Sequence, residues 1–146
     1  MLQRTYDGQN CSIARTLEVV GERWTLLILR DVALGLRRFD EIQANLGVAR
    51  NVLTDRLERL LGAGILERVR YREKPERFEY VLTAMGSELR VPLLALLNWG
   101  DRHLAPDGPP RLVDHIGCGG HVTARAVCDE CGEVLAPGAV HSRRVA

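Results

Sequence analysis

No stretch of this chain approaches the roughly 18 consecutive apolar residues that a membrane-spanning helix needs, and Met1 to Asn10 lack the apolar centre of a secretory signal. A cytoplasmic protein with no membrane partner is therefore expected. The chain also lacks a large charge of either sign. Its 20 basic and 19 acidic residues leave a net charge of +1, so a nucleic-acid site would have to be a local patch. Lysine is nearly absent, 19 of the 20 basic residues being arginine. Arginine suits bidentate contacts to phosphate and guanine, but the codon bias of a GC-rich genome accounts for the preference equally well. No internal repeat or low-complexity tract is visible. No nucleophile–base pair, phosphate-binding glycine loop or pair of carboxylates stands at a useful spacing, so an enzyme is not expected.

What the chain does have is 146 residues, 46% apolar, enough for one ordinary core and a small appendage. Apolar residues at helical spacing from Cys11 to Val20 (Ile13, Ala14, Leu17, Val20) predict a first helix ended by Gly21. A strongly apolar second helix is expected from about Glu22 to Leu34. A third carries Phe39, Ile42 and Leu46, with Asp40 and Glu41 at the positive end of its dipole. The turn Gly47-Val48-Ala49 leads to a fourth helix from Arg50, whose inward stripe is Leu53, Leu57, Leu60 and Leu61. Asn51, Asp55, Glu58 and Arg59 point away from that stripe, with Thr54 on its flank. From Ile65 the period changes from 3.6 to 2, and two strands joined through Glu73-Lys74-Pro75-Glu76 form a hairpin. Arg70, Arg72, Lys74 and Arg77 lie at or near its tip, diluted by Glu73, Glu76 and Glu79.

Three helices, a turn, an outward-facing polar helix and a basic hairpin are the layout of a winged helix-turn-helix. The fold expected is mainly α with a small β-wing (α+β). Thr83 should then cap a long helix to about Leu104, kinked or broken early by Pro92. Its apolar band is too wide for one buried face, which predicts a symmetric homodimer through Val91, Leu94, Leu97 and Trp99. The expected organisation is an N-terminal arm (1–10), a DNA-binding and dimerisation domain (11–104), a linker (105–110), and a small Cys/His-bearing hairpin tail (111–146).

In that tail, His115-x2-Cys118 and Cys128-x2-Cys131, each followed by glycine, have the spacing of two metal knuckles, with His121 as an alternative fourth ligand. Structural zinc, a metal-free hairpin with reduced thiols, and a Cys128–Cys131 redox pair all remain open readings.

The chain resembles the HxlR-type family of bacterial winged-helix regulators, relatives of the MarR group. The resemblance rests on Cys11-Ser12-Ile13-Ala14, Arg23 to Arg30, Gly35 and Arg37 to Ile42, then on Asn51-Val52-Leu53-Thr54, Arg56-Leu57, Leu60 and Gly64. It continues through Tyr80 to Thr83, Gly86 and Trp99-Gly100, and so spans about residues 11 to 104. It implies a dimeric transcription factor that occupies an inverted repeat and answers a small-molecule or redox signal. It puts Asn51, Thr54 and Arg56 on the recognition helix, Arg37 and Arg38 on the helix before it, and Arg72, Lys74 and Arg77 on the wing. It also makes Cys11 the redox-sensing candidate, against a plain packing role. Helical geometry adds Arg50, Asp55 and Arg59 to the DNA-facing set and puts Arg56 near the edge of the buried stripe, where it can pair internally. The competing function is a zinc-containing protein-interaction adaptor on a winged-helix scaffold.

Overall fold

The stop signals and changes of period in the sequence become element boundaries in a computed structural model, which describes residues 5–145; Met1 to Arg4 of the expected arm, and Ala146, lie outside the described residues. The chain divides into two compact units, Met1–Arg90 and Val91–Ala146. The first contains α1 (Ser12–Val20), α2 (Thr25–Ala33), α3 (Phe39–Leu46), α4 (Arg50–Gly62), strands β1 (Leu66–Arg72) and β2 (Arg77–Leu82), and the single turn α5 (Ala84–Ser87). All of α6 (Arg90–His103) except its first residue belongs to the second unit. The dimerisation helix expected from the sequence is thus grouped with the tail.

The core of the first unit is the set of inward stripes. Ile28 and Leu29 of α2, Ile42 of α3, Leu53, Leu57 and Leu60 of α4, and Leu66 of β1 are all fully buried, each burial stabilising by roughly 1.5–3 kcal/mol. Val48 is buried too and pins the turn between α3 and α4. Gly47, at φ 65°, ends α3 with its N–H donating to the Gln43 carbonyl at 2.9 Å.

α2 starts three residues later than its apolar run suggests. Trp24 sits in the left-handed region at φ 81°, and residues 22–24 form a turn before the helix opens at Thr25. Within α2, Asp31 is fully buried. Its carboxylate accepts from Arg30 Nε and Nη2 at 2.9 and 2.7 Å and from Asn45 Nδ2 at 2.8 Å, which ties α2 to α3. Asn45→Ala leaves one oxygen of a buried carboxylate short of a partner and is expected to cost about 1.5–3 kcal/mol. Urea unfolding measures this, and a loss below about 0.5 kcal/mol would mean that the buried charge does not depend on Asn45.

β1 and β2 pair antiparallel from Leu66↔Leu82 to Arg70↔Phe78, and a register shift at Tyr71 brings Arg72 opposite Arg77. Thr83 fastens the root of this hairpin. Its N–H donates to the Ile65 carbonyl (3.0 Å), its hydroxyl donates to the Gly64 carbonyl (2.6 Å), and Gly86 N–H donates to that hydroxyl (3.0 Å).

The single long helix expected from Thr83 to Leu104 is two helices. α5 ends at Ser87, and α6 begins at Arg90, so Pro92 falls in a first turn, where its missing N–H costs nothing. Val91, Leu96, Trp99 and Leu104 are more than half exposed, while Leu94 and Leu97 are half-buried. Asn98 is buried, and its Oδ1 accepts from Ala124 N–H at 2.8 Å. Among the described residues the tail's strand pairing is limited to the isolated bridges Asp114↔His121 and Val127↔Val134. Among the described residues, no helix is long and apolar enough to cross a membrane.

Candidate nucleic-acid interface

The entry to α3 is set by Glu41, whose Oε2 accepts from the backbone N–H of Arg38 (3.1 Å) and Arg37 (3.3 Å). Arg38 is the N-cap and Arg37 precedes it, so neither lies on the helix to which the resemblance assigned them. The Arg37 carbonyl accepts from Tyr80 N–H at 2.7 Å, holding this segment along the free edge of β2. The Arg38 guanidinium lies 4.6 Å over the Tyr71 ring and 3.9 Å from Glu79, so it packs on the wing.

At the start of α4 no side chain among the described residues caps the first turn. Its free N–H groups and Arg50, stacked 4.6 Å over Phe39, form a start suited to a phosphate oxygen. Along the outer face, Arg50, Asn51, Thr54, Asp55 and Glu58 line a shallow open depression. The Thr54 hydroxyl donates back to the Arg50 carbonyl at 2.9 Å, leaving its lone pairs as the outward group.

The other two arginines of α4 are already engaged. Arg56 donates from Nε to the Arg23 carbonyl at 3.2 Å and pairs through Nη1 with Glu22 (2.9 Å) and Asp55. Arg59 pairs with Glu22 at 2.8 Å and Asp55 at 3.2 Å. Internal pairing of Arg56 is the role that its place beside the buried stripe allowed. Arg59, which helical geometry put in the DNA-facing set, is more than half exposed, with its charge balanced by Glu22 and Asp55. Glu22, which sequence reasoning did not single out, organises this network from the turn around Trp24. No local pattern signals it, because 37 residues separate Glu22 from Arg59.

On the wing, Arg70 pairs with Glu76 at 3.1 Å. Arg72, Lys74 and Arg77 enter no ion pair among the described residues, which leaves the tip cationic. Arg68, outside the expected set, lies 4.6 Å over the Phe78 ring. Its period-two relation to Arg70 was the signal that could have found it.

Cys11 is exposed at the N-cap of α1. The backbone N–H groups of Ala14 and then Ile13 face its sulfur, and Arg15 adds a weaker attraction. Together they hold the thiol below its ordinary pKa. In the tail, His115 Nδ1 is 3.2 Å from Cys118 Sγ, while His121 faces Asp114 at 3.7 Å. The backbone N–H groups of Cys131 and Glu130 face the sulfur of Cys128 and, with a smaller contribution from the Cys131 thiol, hold its pKa below the ordinary value. Among the described residues, no group of three or more His, Cys, Asp or Glu gathers at metal-holding spacing, so the four expected ligands stand as two pairs.

The family described as HxlR-like helix-turn-helix matches residues 19–108. Rv3095 of Mycobacterium tuberculosis (strain H37Rv), an uncharacterised HTH-type transcriptional regulator, is 45% identical over 135 residues, covering 92% of this chain and 84% of its own. The crystal structure of PA1607, described as a candidate transcription factor, superposes with a TM-score of 0.83 at 34% identity, over 96% of this chain and 99% of that one. The redox regulator HypR in its oxidised form superposes with a TM-score of 0.59 at 29% identity, over 64% of this chain and 97% of its own.

Proposed function

The chain belongs to the HxlR-like helix-turn-helix family of transcriptional regulators, and from that premise we propose that it binds an inverted-repeat operator as a homodimer and reads it through the outer face of α4. The observation that carries this reading is the depression along α4. Arg50 stands at the α4 N-terminus and Asn51, Thr54 and Glu58 line the depression with it, while Arg72, Lys74 and Arg77 of the wing, which enter no ion pair among the described residues, are there to follow flanking phosphates. The exposed Val91, Leu96 and Trp99 of α6 in the second unit, and separately Ile13 and Leu17 of α1 in the first, are apolar side chains that a second copy can cover. Two recognition helices then enter successive major grooves about one turn of DNA apart.

Cys11 supports a redox-responsive version of the same function. Its thiolate is favoured at the start of a helix that exposes Ile13 and Leu17, so its oxidation would act beside the surface that sets the spacing of the two copies. The resemblance to a redox regulator favours this input over an untargeted small molecule.

Fluorescence anisotropy against the DNA upstream of the protein's own gene and a scrambled duplex, over a salt series, tests both parts. Tight preference for the upstream fragment is expected, with a steep loss of affinity as salt rises. A mild thiol oxidant is expected to change that affinity in the native chain and not in Cys11→Ser. Equal, weak binding to both duplexes under reducing conditions would favour a protein-interaction adaptor.

A further inference from the structure

The two turns of the tail share the same three backbone hydrogen bonds. In the first, His115 N–H donates to the Gly120 carbonyl (2.8 Å), Gly119 N–H to the His115 carbonyl (2.7 Å), and Val122 N–H to the Val113 carbonyl (2.8 Å). Thirteen residues later Cys128 N–H donates to the Glu133 carbonyl (3.0 Å), Gly132 N–H to the Cys128 carbonyl (2.8 Å), and Leu135 N–H to the Ala126 carbonyl (2.9 Å). The bridges Asp114↔His121 and Val127↔Val134 occupy matching places. Gly119 and Gly132 share a left-handed φ of 72° and 73°. The repeat superimposes Cys118 on Cys131 and His115 on Cys128.

We propose that these turns are the two halves of a zinc ribbon, with His115, Cys118, Cys128 and Cys131 as the ligands of one ion. Each turn holds its two candidate ligands side by side and directs backbone N–H groups at a sulfur. Gly120 N–H lies 3.4 Å from Cys118 Sγ, and the N–H groups of Cys131 and Glu130 face Cys128. Such donors stabilise a metal-bound thiolate. The repeat also chooses between the two histidines. His115 occupies a cysteine's place, whereas His121 occupies that of Val134 and is directed at Asp114.

Histidine and cysteine substitute for one another at a metal and not in a disulfide. A Cys128–Cys131 redox pair therefore accounts for only one of the two turns. Burial argues the same way. From residue 101 onward no described residue is buried, and the apolar side chains of the turns reach only half-burial, at Val113, Val122 and Leu135. A segment this short and this poor in core ordinarily needs a metal or disulfides to hold a fixed form. Among the described residues no three of these side chains gather as one group, so the proposed ion has to draw the two turns together. Zinc joins them, coupling ligation to the ordering of the tail, and replaces the protons of up to three thiols, which pass to solvent. Three sulfurs and one nitrogen complete a tetrahedral shell with no open position, so the ion is structural.

The test is independent of DNA binding. The full-length chain, kept reduced and stripped of metal, is titrated with Co²⁺ and followed by absorbance, then back-titrated with Zn²⁺. One ion per chain is expected, with thiolate-to-cobalt charge-transfer bands and intense tetrahedral d–d bands that zinc abolishes. Cys118→Ser should weaken binding by more than the roughly 10–100-fold that loss of a supporting partner costs. His121→Ala should leave it unchanged, and His115→Cys should retain it with the bands of a four-thiolate site. Cobalt bound without charge-transfer bands, binding indifferent to Cys118→Ser, or no binding by the reduced chain would each overturn the proposal.

Discussion

Gly86→Ala is expected to destabilise the winged-helix unit by about 3 kcal/mol or more, although it adds a single methyl group to a helical turn. A Cβ at this position would stand 2.1 Å from the carbonyl oxygen of Ile65, 3.0 Å from its carbonyl carbon and 3.2 Å from its Cγ2. Two of those atoms are backbone, at the root of β1, so no side chain can rotate out of the way. Relief requires α5 to withdraw from the hairpin. That strains the donation from Gly86 N–H to the Thr83 hydroxyl and the bonds from Thr83 to Gly64 and Ile65, each worth about 0.5–1.5 kcal/mol. For a unit of this size the melting temperature should fall by roughly 10–20 °C. Gly62→Ala is the control, because nothing lies within 4 Å of its Cβ position at the end of α4. It should be neutral, or stabilising by up to about 1 kcal/mol. Calorimetry on both variants measures the difference, and a Gly86→Ala melt within a degree or two of the native one would show that the α5–β1 junction yields easily.

Gly86 also marks where sequence reasoning stops. The resemblance includes it, but the reason for a glycine there, the approach of the Ile65 carbonyl, becomes visible only when the hairpin folds back. The parts that were legible are those written in local periodicity. Leu53, Leu57 and Leu60 repeat at helical spacing, Gly47 marks a left-handed stop, and the alternation from Ile65 marks the wing, so α3, the turn, α4 and both strands fall close to where they were expected. The break after Ser87 was half legible, since Pro92 announced it but not its position. Long-range electrostatics were not legible. Buried Asp31 is hidden in an apolar run, and Glu22 reaches α4 only because Trp24 turns the chain. The repeat in the tail escaped notice because its backbone hydrogen bonds recur while most of its side chains do not. Ile116 matches Asp129, and Gly117 matches Glu130.

Replacing Asn51 and replacing Arg72 should weaken DNA binding in different ways, and that difference tests the proposed reading head. Arg56 and Arg59 are occupied by Glu22 and Asp55, and the Thr54 hydroxyl by its own helix. Asn51 enters none of these bonds, is exposed, and lines the depression one residue into α4. Its carboxamide can donate and accept together, the pattern that matches the major-groove edge of adenine, with about 1–3 kcal/mol of discrimination per contact. A two-fold dimer makes that contact twice. Asn51→Ala should therefore cost about 2–6 kcal/mol on the operator, roughly 30-fold to 10⁴-fold in affinity, with little change on a scrambled duplex. Asn51→Asp, which keeps the shape and loses the donor, should not restore it. Arg72 lies across from Arg77 without an ion-pair partner among the described residues, beside the tip of the wing. Arg72→Ala should weaken both duplexes alike and lower the salt slope by about one per subunit, the signature of a lost phosphate contact. Equal weakening of both duplexes by Asn51→Ala would remove α4 from the reading role and leave the wing and the α4 N-terminus as a non-specific grip on the backbone.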